Sequence, residues 1–365
     1  MQRSMIGLVL IMFHFAAMSA RGNDLDRDEE VVFFPTAALL DPDAPNVTFF
    51  VHGWVYEPED NSLRRQVALK ALVKVLDLDD DAATQGIFVD RARRFLVDNE
   101  SSQQLVIRVG PREVTLSKSE DNGHIRALLT LPTADAQRLL KPAAVAPPTL
   151  SYRAVTSRGD ARLFAGTVHL LSPEGWSVVS DIDDTIKVSN VLDRRELMRN
   201  TMLREFQAVD GMAAVYVDWQ REGAAFHYVT GSPWQLYQPL EEFVQRRGFP
   251  AGSFTMRYFR VQDGSAVAML SAPETYKRTS IETLLRDFPR RKFALVGDTG
   301  EKDPEIYGDL ARRFPQQVRF VGLRNITNDT LESDRMKAAL RDVPAERTLL
   351  FREPSELPKL GPPPK

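Results

Sequence analysis

Two hydrophobic patterns divide the chain near residue 172. Before it, apolar and polar positions alternate in short runs; after it, short apolar runs alternate with helical stretches. Residues 46–55, 105–109, 113–117, 124–131, 150–155 and 163–171 read as strands, with Gly, Pro and Asn-Gly punctuation between them. Leu63, Val67, Leu72 and Val75/Leu76 recur at near-helical spacing, which predicts a helix over 62–78 with Ser62 near its cap. The acidic run 77–81 reads as a solvated turn and 141–148 as a crossing loop. Residues 24–40 read as a polar lead-in with one apolar patch, Val31 to Phe34. The stretch 30–171 is therefore expected to be a mainly β, sandwich-like domain. His52, His124 and His169 each stand alone in strand context and read as structural.

From Trp176 onward the runs 176–179, 224–229, 254–259, 293–296 and 318–323 predict five strands. Helical stretches over 212–221, 233–247, 274–287 and 304–314 lie between them. That alternation predicts an α/β unit over 172–330, a parallel sheet covered by helices on both faces. A C-terminal segment, 331–365, follows, with its Pro-rich end from 354 expected to be loose. At the other end, Arg3 is the only charge in the first twenty residues, an apolar run covers 5–17, and small residues follow. This is the pattern of a signal peptide over 1–20, too short for a comfortable membrane span, and it predicts export.

Composition narrows the possibilities. With 43% hydrophobic and 27% charged residues, the 365-residue chain can bury a real core. A net charge of -3 gives no reason to expect a nucleic-acid partner. The absence of cysteine excludes disulfides, thiolate metal sites and a cysteine nucleophile. An exported, cysteine-free chain suits a bacterial periplasm.

The chemistry-bearing residues fall at predicted strand ends. Asp181, Asp183 and Thr185 follow the first strand of the α/β half, at the sheet edge where open α/β folds keep ligands. Paired carboxylates there can hold a divalent metal and attack phosphorus; the same letters also suit an acidic turn or helix cap. The second strand ends in Thr230-Gly231-Ser232-Pro233. Ser232 would cap a helix beginning at Pro233, whose free N–H groups suit an anion beside the Thr230 hydroxyl. Lys277 opens a helix with the apolar stripe Ile281, Leu284, Leu285, Phe288. It reads either as a solvated lysine or as a cation neutralising phosphate. The fourth strand ends in Gly297-Asp298, with Gly300 and Asp303 following. Asp298 can complete an oxygen-rich magnesium shell, and the glycines let the backbone bend close. Residues 188–210 are the natural place for a small cap, carrying Arg194, Arg195, Arg199 and Arg204 among apolar residues. Such a helix suits either an anionic lipid surface or ordinary packing with a solvated arginine face.

In this order the motifs D-x-D-x-T, Thr, Lys and G-D-x-x-x-x-D resemble those of the haloacid dehalogenase (HAD) superfamily of phosphohydrolases. The longer stretches 180–187, 227–237 and 296–307 are similar to the catalytic domain of the actin-patch-protein type of phosphatidate phosphatase, over about 165–325. The resemblance implies a HAD-like Rossmannoid sheet with a small cap insertion. It implies Asp181 as nucleophile, and Asp183 as the acid that protonates the leaving alcohol and then activates water. Asp181, the Asp183 carbonyl and Asp298 would hold Mg²⁺, with Asp303 as a direct or indirect helper. Thr230 and Lys277 would bind the phosphoryl group, with Thr185, Gly231, Ser232, Arg194 and Arg195 on the substrate side. The implied substrate is phosphatidate or a related lipid phosphomonoester, met by peripheral contact with an anionic membrane. Two alternatives stand beside it: the same chemistry on a soluble phosphomonoester or phosphoprotein, and a non-enzymatic envelope protein with a vestigial phosphatase fold.

Overall fold

The computed structural model describes residues 25–58, 62–76, 78–79, 81, 84, 86–141, 146–259 and 274–362. The leader pattern of residues 1–20 and the side chains of Ser62, Leu63 and Val75 lie outside this description. In chain order the first half contains β1 (Glu30–Phe34), β2 (Thr36–Leu39), β3 (Asn46–Glu57), α1 (Ser62–Val75), α2 (Gly86–Ala92) and β4 (Asp98–Asn99). There follow β5 (Gln104–Val109), β6 (Arg112–Lys118), β7 (His124–Pro132), α3 (Thr133–Leu139), β8 (Thr149–Ala154) and β9 (Ala165–Leu171). One sheet has the order β1-β3-β4 with β7 also on β3; the other runs β2-β9-β8-β5-β6. The alternation along β3 buries Val47, Phe49 and Val51 against Leu105, Ile107, Val168 and Leu170 of the second sheet. The sandwich expectation holds.

Two readings of this half change. The polar lead-in carries two strands, not one apolar patch. Pro35 breaks the run, so β1 pairs antiparallel with β3 in one sheet and β2 pairs parallel with β9 in the other. His52 and His124 do not stand alone: the β3–β7 register brings His52 Nε2 within 3.0 Å of His124 Nδ1. The Tyr258 hydroxyl lies 3.1 Å from His52 Nε2, and the Phe34 and Trp234 rings pack on the same imidazole. This aromatic cluster is structural, and it joins the two halves of the chain. His169 is buried apart from it.

The second half contains β10 (Trp176–Ser180), α4 (Arg194–Met202), α5 (Met212–Arg221), β11 (Ala225–Pro233), α6 (Tyr237–Arg246) and β12 (Ser253–Arg257). It continues with α7 (Glu274–Asp287), β13 (Lys292–Asp298), α8 (Asp303–Arg313), β14 (Val318–Arg324), α9 (Asp334–Ala339) and β15 (Thr348–Phe351). These six strands form one all-parallel sheet in the order β12-β11-β10-β13-β14-β15. Successive residues feed opposite faces. Val178 joins Tyr216 and Trp219 on one side, and Val179 joins Ile281, Leu285 and Tyr307 on the other. The chain starts at β10, moves outward to β12, then returns to β13 on the other side of β10. The strand order therefore reverses between β10 and β13, where such sheets open a crevice at their carboxyl ends.

The C-terminal segment departs from expectation. Residues 348–351 add a sixth strand beside β14, and residues 354–362 of the Pro-rich end are held down rather than loose, while 363–365 lie outside the described residues. Leu357 is buried, Trp219 Nε1 donates to the Pro358 carbonyl at 2.9 Å, and Trp176 Nε1 donates to that of Gly361 at 3.0 Å. A proline-rich tail cannot extend a ladder, but its carbonyls remain acceptors for buried indole N–H groups. Among the described residues no helix is long and apolar enough to cross a membrane.

Candidate active site

Three parallel strands deliver the polar residues to one edge. Asp181 follows β10, and its backbone N–H donates to the Val296 carbonyl of β13 at 2.9 Å. This continues the ladder one step past the strand and fixes where the carboxylate emerges. Asp298 closes β13, and Thr230 lies within β11. All three are fully buried.

Asp181 Oδ2 accepts from the Thr185 hydroxyl at 3.2 Å, so Thr185 orients the first aspartate. Lys277 is buried, not solvated: Nζ lies 2.9 Å from Asp181 Oδ1 and also pairs with Asp303 Oδ1. Asp303 in turn uses Oδ2 to accept from the Asp298 N–H at 3.3 Å. Its carboxylate is thus committed to Lys277 and the backbone. The acid that joins Asp181 and Asp298 is instead Glu301; ligand oxygens of these three lie within 4.8 Å of one another. Asp298 Oδ1 accepts from Gly300 and Glu301 N–H groups at 2.6 and 3.2 Å, while Oδ2 is buried without a hydrogen-bond partner. The turn itself is pinned by Arg335, which donates to the Thr299 and Glu301 carbonyls and pairs with Glu305.

Asp183 occupies the other side. Oδ1 pairs with Lys187 Nζ at 2.7 Å and accepts from the Ser189 hydroxyl at 2.7 Å. Oδ2 accepts from Ser232 at 3.1 Å and Thr230 at 3.4 Å. Ser232 therefore does not cap a helix. β11 continues to Pro233, a 3-10 turn covers Trp234–Leu236, and α6 begins at Tyr237. The Gly231 carbonyl accepts from Arg257 at 3.2 Å. Lys187 and Glu301 were both missed as site residues in the sequence. Their signals were the i,i+4 spacing of Lys187 from Asp183 and the position of Glu301 inside the glycine turn.

Arg194, Arg195 and Arg199 lie on α4, which Asp193 caps through the Arg195 and Glu196 N–H groups, and Arg204 follows its end. Arg194 is exposed. Arg195 and Arg199 pair with Asp79 at 3.1 and 2.6 Å, and Arg204 pairs with Glu196 at 2.6 Å. Asp79, exposed in the acidic run, is thus a partner of the cap.

Five carboxylates, from Asp181, Asp183, Asp298, Glu301 and Asp303, face two ammonium groups, from Lys187 and Lys277. Burial pushes the Asp181 and Asp298 carboxyls well above the usual range, with Asp303 raising both further and Lys277 opposing. Burial, with Asp303 nearby, lifts Glu301 to about 7. Burial works against the Lys277 charge, yet Asp181 and Asp303 hold its ammonium well above the ordinary value. Burial would raise Asp183 too, but Lys187, Ser189 and Ser232 outweigh it and keep that carboxyl low. Excess negative charge from hard oxygen donors, with the orphaned Asp298 Oδ2 among them, fits a divalent cation bound by Asp181, Asp298 and Glu301.

Residues 176–325 match the sequence model for the phosphatidate phosphatase APP1 catalytic domain. The chain is 35% identical over 162 residues to phosphatidate phosphatase APP1 of Saccharomyces cerevisiae, covering 43% of this chain and 27% of that protein. It is 31% identical over 176 residues to an uncharacterized protein of Schizosaccharomyces pombe, covering 46% of this chain and 28% of that one. The chain thus spans less than a third of the length of these curated relatives. Motif order, parallel sheet and acidic edge agree with that match over residues 176–325, the stretch similar to APP1-type phosphatidate phosphatase catalytic domains.

Proposed function

We propose that the protein is a Mg²⁺-dependent phosphatidate phosphatase that removes phosphate from a lipid phosphomonoester through an aspartyl-phosphate. The observation that carries this reading is the pairing of buried Asp181 with Lys277 on one side of the crevice and of Asp183 with Thr230 and Ser232 on the other. A divalent cation bound by Asp181, Asp298 and Glu301 would supply charge neutralisation at the phosphoryl oxygens.

The chain's own residues would act as follows. Asp181, oriented by Thr185, attacks phosphorus; the P–O bond to the alcohol breaks, and Lys277 neutralises charge beside the transferring group. Asp183 gives a proton to the departing alkoxide. Its neighbours hold it as a carboxylate in the free site, and a monoester entering as its monoanion brings the proton it needs. Asp183 then takes a proton from water, whose oxygen attacks the aspartyl-phosphate and releases Asp181 and inorganic phosphate. Thr230 and Ser232 keep Asp183 aimed throughout.

The leader pattern of residues 1–20 supports an exported site of action, a periplasm in a bacterial host. Exposed Arg194 and Leu192 at the start of the cap support peripheral contact with an anionic lipid surface. The pairing of Arg195, Arg199 and Arg204 with acids favours a second reading, the same chemistry on a soluble phosphomonoester. Purified protein is assayed for phosphate release from phosphatidate in anionic vesicles and from a soluble alkyl phosphate, with Mg²⁺ or with EDTA. Mg²⁺-dependent release favouring vesicles, lost in Asp181→Asn, is expected. Preference for the soluble ester selects the second reading, and equal turnover in Asp181→Asn overturns both.

A further inference from the structure

The N-terminal half reaches the catalytic carboxylates through one aromatic ring. Arg91, on α2, is buried and donates from Nη1 to the Thr201 and Arg204 carbonyls, both at 2.8 Å, at the C-terminal end of cap helix α4. A cation there satisfies orphan carbonyls and meets the negative end of the helix dipole. The same guanidinium lies 3.8 Å from the centre of the Phe206 ring. Lys187 Nζ lies 5.0 Å from the centre of that ring and is itself buried. Phe206 packs in one continuous core with Phe88 and Ala92 of α2 and with Met198 and Met202 of α4. Below it, the Val188 N–H donates to the Gln207 carbonyl and the Val209 N–H to that of Ile186. These bonds stitch the exit of the first motif to the base of the cap.

We infer that Lys187 is a positioning residue for Asp183, and that Arg91 holds it there from the N-terminal half by fixing Phe206 and the end of the cap helix. Without the ammonium, Asp183 Oδ1 keeps only Ser189, a hydroxyl that Lys187 itself contacts. Without Arg91, two carbonyls of the cap lose their donor and the ring loses its cation. Helix α2, outside the sandwich, is then a support for the catalytic edge. The inference rests on the phosphatase reading of Asp183.

A proton donor to the leaving group matters for alkoxides and little for nitrophenolate, so leaving-group dependence separates loss of Asp183 aim from general damage. Full-length wild type, Lys187→Met, Lys187→Arg and Arg91→Met are assayed with Mg²⁺ on an alkyl phosphate and on p-nitrophenyl phosphate. Lys187→Met should lower kcat on the alkyl ester about 10²-fold and on the nitrophenyl ester less than about 5-fold, with KM within about 2-fold. Lys187→Arg should restore most of the alkyl activity, and Arg91→Met should show the same selective loss at about 10-fold. Equal loss on both esters, or no loss on either, overturns the inference. Should Lys187→Met fail to fold, the selectivity of Arg91→Met and Lys187→Arg decides in its place. If wild type turns over neither ester and releases no phosphate from phosphatidate in anionic vesicles, the phosphatase reading falls by itself. Crystal structures of wild type and Arg91→Met then decide the positioning: a displaced Lys187–Asp183 pair supports it and an unmoved one overturns it.

Discussion

Asp303 fills the space that a side chain at Gly297 would need. A methyl group on residue 297 would overlap Asp303 Oδ2, the oxygen that accepts from the Asp298 N–H at 3.3 Å. The same carboxylate pairs with Lys277, which pairs with Asp181. Gly297→Ala is therefore expected to push Asp303 outward and loosen Lys277. Overpacking of this kind costs about 1–3 kcal/mol in stability. On the proposed mechanism, a shift of about 1 Å in the Lys277 ammonium costs about 10²-fold in kcat. Denaturant melts and steady-state kinetics check both, and near wild-type kcat would break the link from Gly297 to Lys277.

Asp184 holds the entrance to the cap. Its backbone is left-handed at φ 49°, and its carboxylate accepts from the N–H groups of Ser189 at 2.8 Å, Asn190 at 3.0 Å and Val191 at 2.6 Å. Asp and Asn tolerate that conformation better than other side chains, and a short carboxylate can satisfy several turn donors at once. Asp184→Ala leaves three donors unmet and is expected to lose about 3 kcal/mol in a urea melt. Asp184→Asn, which keeps one acceptor oxygen and the backbone preference, should lose about half as much. Equal losses for both variants would mean that the carboxylate does not clamp the turn.

The sheet was readable because buried parallel strands are short apolar runs with helices between them, and each motif residue sits at the end of such a run. Asp181, Thr230 and Asp298 reach one edge for that reason, and Lys277 meets them there from the start of α7. Lys187, Glu301 and Arg91 were not read as site residues. The first two carried only a local spacing to Asp183 and a place in the glycine turn, and Arg91 acts on the end of α4, a tertiary partner that no local pattern announces. Ser232 was misread as a cap because spacing gives the side of a turn but not the rotamer. Its hydroxyl turns to Asp183 in place of a capping role, while Asp303 supports Lys277 and the Asp298 backbone. Residues 354–362 looked loose because composition sees their prolines and not the two indoles that bind their carbonyls.

The acidic cluster should couple metal to stability. Mg²⁺ at about 100 times its Kd should stabilise the fold by about 2.7 kcal/mol, seen as a rise in Tm that EDTA reverses. Asp298→Asn should remove that rise, because its unpartnered Oδ2 is the most exclusive donor of the group. Glu301→Gln should weaken Mg²⁺ binding about 10-fold or more while leaving the metal-free protein at least as stable, since it relieves repulsion from Asp181 and Asp298. Calorimetric titration with Mg²⁺ measures both. Unchanged affinity in Glu301→Gln would remove that residue from the metal group and return the position to Asp303.

Buried histidines make the fold sensitive to acid, with a sign opposite to that of the metal-site acids. Burial, with Arg291 and His169 nearby, lowers His227 to about 3, while its ring meets Ser253 at 2.8 Å and Ser177 at 3.2 Å. Burial likewise lowers His124 to about 3 and His169 to about 4. In the unfolded chain each returns to about 6.5. Between 6.5 and the folded value the unfolded chain binds more protons, so stability is fully present above pH 6.5 and is lost as pH falls through this window. The raised Asp181, Asp298 and Glu301 do the reverse in the metal-free protein, because there the folded chain binds the extra protons. Comparing His227→Gln with wild type isolates the histidine, since the acids are common to both. The stability gap in favour of wild type should narrow by about 1.4 kcal/mol per pH unit below 6.5, or about 2 kcal/mol by pH 5. Urea melts of the two proteins from pH 7.5 to 5 measure the gap directly. A gap that stays constant would mean that His227 titrates alike in the folded and unfolded chains, so that burial does not hold the ring neutral.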